Sequence, residues 1–147
     1  RVFGAGTKVA WTEDELQRLQ ALAAQPARSF AAQSEAADRY LKVSGLAGLG
    51  PVGSSVAMRG VAQAPGEALW RLAMDPRAFA VGKPPTAELV QLARCPVHLG
   101  RGAGDALVTL AQLRAIDAQA IDLGPYGHNV MVEAPSQVWD WIESHPA

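Results

Sequence analysis

Two short stretches of this chain carry residues that could do acid–base chemistry together. Cys95-Pro96-Val97-His98-Leu99-Gly100-Arg101-Gly102 runs into Gly104-Asp105, and Pro125-Tyr126-Gly127-His128-Asn129 follows about one strand–helix–strand unit later. An aspartate after one strand and a histidine after the next have the order of the last two members of a nucleophile–base–acid triad, acid first. A buried acid holding one imidazole nitrogen would fix the tautomer and leave the other nitrogen to take a proton. Gly102, Gly104, Gly124 and Gly127 let the chain turn sharply around both residues. Spacing alone is equally compatible with a turn aspartate and an ordinary loop histidine. The third member, a nucleophile on a G-x-S-x-G turn upstream of both, does not occur in the sequence.

Other reactive residues offer less. Cys95 precedes Pro96 at the opposite end of its strand from Asp105, so it is expected to be core or structural. His98 lies inside that apolar strand and reads as a hydrogen-bonded core histidine, and His145 sits near the chain end. Without H-x-x-x-H spacing or a Cys/His pairing, no metal is expected. Gly48-Leu49-Gly50-Pro51-Val52-Gly53 matches G-x-G-x-x-G, but it follows a helix and Pro51 removes a backbone N–H that a phosphate cradle would use. It reads as a linker, and no cofactor is expected. Trp11, Tyr40 and Trp70, with Phe30, could line an apolar substrate pocket or pack a small core, and the sequence leaves both open. Trp139 and Trp141 cannot share a helix face, so one should be core and the other exposed.

The elements that must position these residues alternate in type. Residues 1–10 are Gly-rich and extended, and Thr12-Glu13-Asp14-Glu15 is a capping box opening a helix whose apolar stripe is Leu16, Leu19, Leu22 and Ala23. A second helix starts near Ser34 and closes at Gly45, and residues 45–55 read as loop. Residues 61–63 and 68–72 flank Ala64-Pro65-Gly66-Glu67, a type II turn sequence, and so read as a hairpin. Helix over 86–94, strand over 95–100, helix from Thr109 to Ile116, strand from Ala118 to Leu123 and helix from Pro135 to Ile142 complete the order. Such alternation implies parallel strands joined by a crossover. Two parallel strands and a hairpin do not make a viable parallel sheet, which needs covered faces and further neighbours. More sheet is therefore expected elsewhere.

With 147 residues, 49% of them apolar, and a net charge of −1, the chain is long enough for a core and has neither a polybasic surface nor an acidic tail. Nucleic acid is not an expected partner. One cysteine allows no internal disulfide and fits a reducing, cytoplasmic setting. No apolar run approaches the roughly 20 residues that span a bilayer, so no membrane partner is expected. A first residue of Arg1 with no signal peptide after it leads us to expect processing, trimming or a fragment.

From about Ala93 to Ile142 the chain resembles the C-terminal segment of the α/β-hydrolase fold family. Cys95-Pro96-Val97-His98-Leu99-Gly100-Arg101-Gly102-Ala103-Gly104-Asp105 resembles that family's P-V-x-x-x-x-G-x-x-D strand and acid loop, and Asp105-Ala106-Leu107-Val108 fits the Asp-x-x-Val pattern common in the family at its acid. Gly127-His128-Asn129 with Val132-Glu133-Ala134-Pro135 resembles its G-H-x-x-x-x-E-x-P histidine loop and last helix. The resemblance implies Asp105 as triad acid and His128 as base. It also implies that residues from about 10 to 75 are a cap between the sheet's sixth and seventh strands, with Arg1 just after the sixth. The family's nucleophile and oxyanion-hole donors would precede the cap, and whether that nucleophile is Ser, Asp or Cys does not carry over.

The expected fold is thus α/β: the C-terminal part of an α/β-hydrolase parallel sheet with a mostly helical cap, incomplete as a stand-alone fold. Residues 1–75 would be the cap, and 76–147 the strand–helix–strand–helix part of the core. The complete enzyme would hydrolyse a small apolar ester-like substrate through His128 and Asp105. Its nucleophile would come from a missing N-terminal segment or chain, and this chain alone would be inactive. The rivals are a non-catalytic binding or scaffold module of the same architecture, and an independent domain that binds a ligand under its helices.

Overall fold

The structure is a computed structural model that describes residues 1–145, so the last two residues of the expected 76–147 segment lie outside it. In chain order the elements are β1 (Val2–Ala5), α1 (Glu13–Ala23), α2 (Gln33–Val43), α3 (Ser55–Arg59), β2 (Val61–Gln63) and β3 (Trp70–Leu72). A 3-10 segment (Pro76–Val81) is followed by α4 (Thr86–Leu92), β4 (Val97–Arg101), α5 (Leu110–Arg114), β5 (Ile121–Asp122), α6 (Val130–Glu133) and α7 (Pro135–Glu143). They fall into two compact units, Thr12–Gly82 and a second made of Arg1–Trp11 with the segment from Lys83 onward.

The second unit holds a parallel sheet in the order β1-β4-β5. The residues expected only to be extended before Trp11 are therefore in part a strand, with Val2 opposite Val97 and Ala5 opposite Gly100. Arg1 accordingly precedes a strand of the sheet, and the 1–75 segment contributes its first residues to this unit. Pairing with β4 explains the difference: Val2-Phe3-Gly4-Ala5 has little strand signal of its own, and the ladder supplies it. Period-2 alternation then buries both faces. Leu99 packs with Val108, Leu113 and Ala120 on one side, while Phe3 and Ala5 pack with Leu123, Val130 and Trp141 on the other. Trp141 is buried and Trp139 exposed, as their adjacency requires.

β5 is shorter than the expected 118–123. Asp117 diverts the chain before it: Oδ1 accepts from Gln119 N at 2.9 Å, its carbonyl from Ala120 N at 2.9 Å, and Oδ2 from Leu99 N at 2.9 Å. A carboxylate thus takes the β4 N–H that a longer β5 would have used. α6 is a further departure, a single turn inside the stretch that follows His128. α4 forms where expected, yet Leu89 and Leu92 on it are exposed.

The first unit follows its local signals. Thr12 Oγ1 accepts from Glu15 N at 3.2 Å and Glu15 Oε2 accepts from Thr12 N at 2.9 Å, completing the capping box of α1. The Leu16/Leu19/Leu22 stripe is less buried than expected, and no residue of α1 is fully buried. α2 buries Ala36, Ala37 and Leu41 and is closed by Gly45 at φ +70°. β2 and β3 pair antiparallel around Gly66 at φ +74°, with Glu67 N donating to Ala64 O at 3.1 Å, a geometry that suits type II turn chemistry. The expected 45–55 loop is followed at once by α3, which starts at its last residue, Ser55, because Ser54 Oγ accepts from Ala57 N and caps the helix. Phe30, Ala36, Ala37, Leu41, Ala57 and Val61 form the core of this unit.

Candidate active site

Two loops carry the site, both leaving the same end of the parallel sheet. The acid loop follows β4 and the histidine loop follows β5. Backbone bonds tie them together: Ala103 N donates to Gly124 O at 2.7 Å and Gly104 N to Tyr126 O at 2.9 Å. The approach is close enough that a Cβ at Gly102 would collide with the carbonyl oxygens of Tyr126 and Gly127. Glycine at this position is a condition of the site, because the obstructing atoms are backbone.

Across this junction His128 Nδ1 and Asp105 Oδ2 stand 2.9 Å apart, although 23 residues separate them in sequence. The Asp105 side chain is fully buried and that of His128 is one-third exposed. The other Asp105 oxygen, Oδ1, accepts from Leu107 N at 2.7 Å, so neither oxygen is left unpaired. An ionised carboxylate is acceptor-only, and therefore Nδ1 is the nitrogen that carries the proton in the neutral ring. Nε2 is then the basic nitrogen, and it makes no hydrogen bond among the described residues.

Further residues support the pair. Glu133 Oε2 accepts from Gly127 N at 2.9 Å, anchoring the residue before His128 from α6. Gly6, just past β1, has φ +64°, and a Cβ there would collide with His128 O. Arg101, at the end of β4, donates to Asp122 and to three carbonyls of the acid loop. Sequence reasoning assigned no role to Arg101 or Gly6. Gly6 meets its partner on another loop, and Arg101 binds Asp122 on another strand and three backbone carbonyls of the loop that follows it, which any sequence would supply, so neither leaves a sequence signal.

The remaining candidates are dispersed. Tyr40 packs against Gly60, and both Tyr40 and Trp70 pack on the Phe30/Leu41 core of the helical unit. Trp11 belongs to the sheet unit, with Lys8 Nζ 4.7 Å above its ring and its Nε1 buried without a hydrogen-bond partner among the described residues. Cys95 is exposed, a correction to the core or structural placement, because β4 begins only at Val97. His98 also departs from expectation. Its ring lies in an aromatic stack with Phe3 (centroids 5.0 Å apart) and His145 (4.2 Å), with no side-chain hydrogen bond among the described residues. Burial holds its pKa below the ordinary value, the His145 imidazole adds to this, and Asp117 opposes it. Among the described residues no group of three His, Cys, Asp or Glu could hold a metal ion, and no helix is long and apolar enough to cross a membrane.

The chain matches no family model, and a search of curated proteins finds no match. Solved structures do resemble it. A thioesterase domain from the curacin biosynthetic pathway superposes with a TM-score of 0.62 at 18% identity, over 96% of this chain and 56% of that one. For an E-2-(acetamidomethylene)succinate hydrolase the values are 0.67, 16%, 97% and 56%. For an esterase from Mycobacterium tuberculosis they are 0.62, 16%, 97% and 50%. The chain thus spans about half the length of these proteins.

Proposed function

We propose that this chain, whose fold is part of the α/β-hydrolase fold, supplies the acid and base of a nucleophile–histidine–acid triad in a hydrolase acting on small, apolar, ester-like substrates. Asp105 is the acid and His128 the base. The nucleophile comes from residues outside these 147, on the same polypeptide or on a separate chain. The observation that carries the proposal is the 2.9 Å contact between His128 Nδ1 and a fully buried Asp105 carboxylate. Hydrolases and esterases among the structural neighbours support the same direction.

The chemistry follows from the proton on Nδ1. Asp105 holds the ring in one orientation and stabilises the imidazolium that forms. Nε2 is then free to accept a proton from a hydroxyl or thiol nucleophile, or from water when the nucleophile is a carboxylate. With a hydroxyl or thiol nucleophile the same nitrogen returns that proton to the leaving group; with a carboxylate nucleophile the leaving group departs in the first step, and the proton taken from water in the second passes on to solvent as the covalent intermediate is hydrolysed. Burial of Asp105 strengthens its pull on the imidazolium, since water does not screen the pair from the acid's side.

The test is His128→Ala in the complete protein, assayed with short-chain p-nitrophenyl esters. Turnover is expected to fall by three orders of magnitude or more, roughly as for other triad knockouts, with the circular dichroism spectrum unchanged. Turnover within tenfold of wild type in a folded variant would overturn the assignment.

A further inference from the structure

We propose that Arg101 is a positioning residue that fixes Asp105 against His128, by clamping both flanks of the acid loop and tying them to β5. The inference rests on the triad assignment for its catalytic consequence, though not for its geometry. Arg101 is the last residue of β4, and its side chain is only 11% exposed. Every nitrogen of its guanidinium is used. Nε donates to Asp122 Oδ1 at 2.8 Å, Nη2 to Ala103 O at 2.7 Å, and Nη1 to Asp105 O at 3.2 Å and to Val108 O.

The distribution of these partners gives the residue its role. The backbone bonds from Ala103 and Gly104 to the histidine loop hold only the stretch before Asp105. On its far side the loop continues through Leu107 to Val108, whose side chain is buried beside Leu99 and Leu113. Arg101 spans the carbonyls of Ala103, Asp105 and Val108, so it fixes the loop on both sides of the acid. Those three oxygens converge, and without a donor they would be left facing one another. The Asp122 carboxylate balances the guanidinium charge and lies in β5, the strand that feeds the histidine loop. A single planar group therefore joins the strand before the acid, the acid loop and the strand before the base. A lysine ammonium keeps the charge but is a point donor, so it cannot reproduce the fork.

The consequence is read first on His128 and then on turnover. With the clamp intact, Asp105 Oδ2 holds His128 as the single Nδ1–H tautomer. In Arg101→Lys and Arg101→Gln the loop gains freedom, and the Nδ1–H and Nε2–H tautomers become mixed. Histidine 15N chemical shifts in the full chain report this without any substrate. In the complete enzyme the same variants are expected to lose tenfold to a hundredfold in kcat with little change in KM, and Arg101→Lys is not expected to rescue Arg101→Gln. Asp122→Ala, at a partly exposed position, removes one of the four partners and should show a smaller shift in the same direction. If the Arg101 variants fail to fold, Asp122→Ala decides alone. A single Nδ1–H tautomer in every folded variant would overturn the proposal. Mixed tautomers in an enzyme whose turnover survives His128→Ala would keep the clamp and refute the triad instead.

Discussion

Asp105→Asn is the substitution whose effect can be worked furthest from the structure. The two side chains have nearly the same shape, so packing around Val108 and Gly102 is preserved. The change lies in what the atoms can do. Oδ1 of Asp105 accepts from Leu107 N at 2.7 Å, and an asparagine keeps that bond only with its carbonyl oxygen on that side. Its NH2 then faces His128 Nδ1 across 2.9 Å. Two donors cannot share that contact, so Nδ1 must give up its proton and Nε2 must carry it. The alternative is to flip the amide, which puts NH2 against Leu107 N–H and leaves a buried donor unpaired at about 1–3 kcal/mol. A penalty of that size is roughly a 5- to 150-fold preference for the unproductive tautomer. Loss of the charge that stabilises the imidazolium adds to it, and the analogous change in a serine protease costs about 10⁴ in kcat. We expect a loss of roughly 10³–10⁴ in the complete enzyme, and exchange of a charged for a neutral hydrogen bond should lower stability by only about 1 kcal/mol. The assay pairs ester turnover with the 15N shifts of His128. An Asp105→Asn protein that keeps the Nδ1–H tautomer and turns over within tenfold of wild type would refute the reasoning.

Two further outcomes test the scaffold. Gly102→Ala places a methyl against the backbone oxygens of Tyr126 and Gly127, so the loops must part. A destabilisation of about 1–3 kcal/mol is expected from thermal unfolding, whereas an unchanged Tm would mean the loops separate freely. Asp75 is held at about 2, first by the side-chain hydrogen bond from Arg77 and then by the Arg77 backbone N–H, below its ordinary 3.8. A depressed carboxyl favours the folded form above the ordinary value, and that contribution is lost as pH falls through about 2. Its 13C-carboxyl titration should therefore have a midpoint near 2, and a midpoint at 3.8 would show that the Arg77 contact does not persist in solution.

Much of this molecule is fixed by local chemistry that needs no tertiary context. Thr12 and Glu15 cap α1, Gly45 closes α2, Pro65-Gly66 makes the hairpin turn and Pro135 opens α7, because each effect acts within a few residues. The order of Asp105 and His128 after successive strands is likewise legible, as is the α/β class. What local chemistry cannot fix is which segments become partners. Val2–Ala5 is a strand because β4 lies beside it, and β5 is cut short because the Asp117 carboxylate takes the Leu99 N–H. α3 and α6 are single turns too short for a periodic signal. Arg101 looks in sequence like any charged residue at a strand end, and its four acceptors come together only once the acid loop folds back on it and β5 lies beside β4. The residue types and their order were written in the sequence. Their 2.9 Å approach is a property of the sheet, since a contact across 23 residues depends on strand register and loop path, which no single segment encodes.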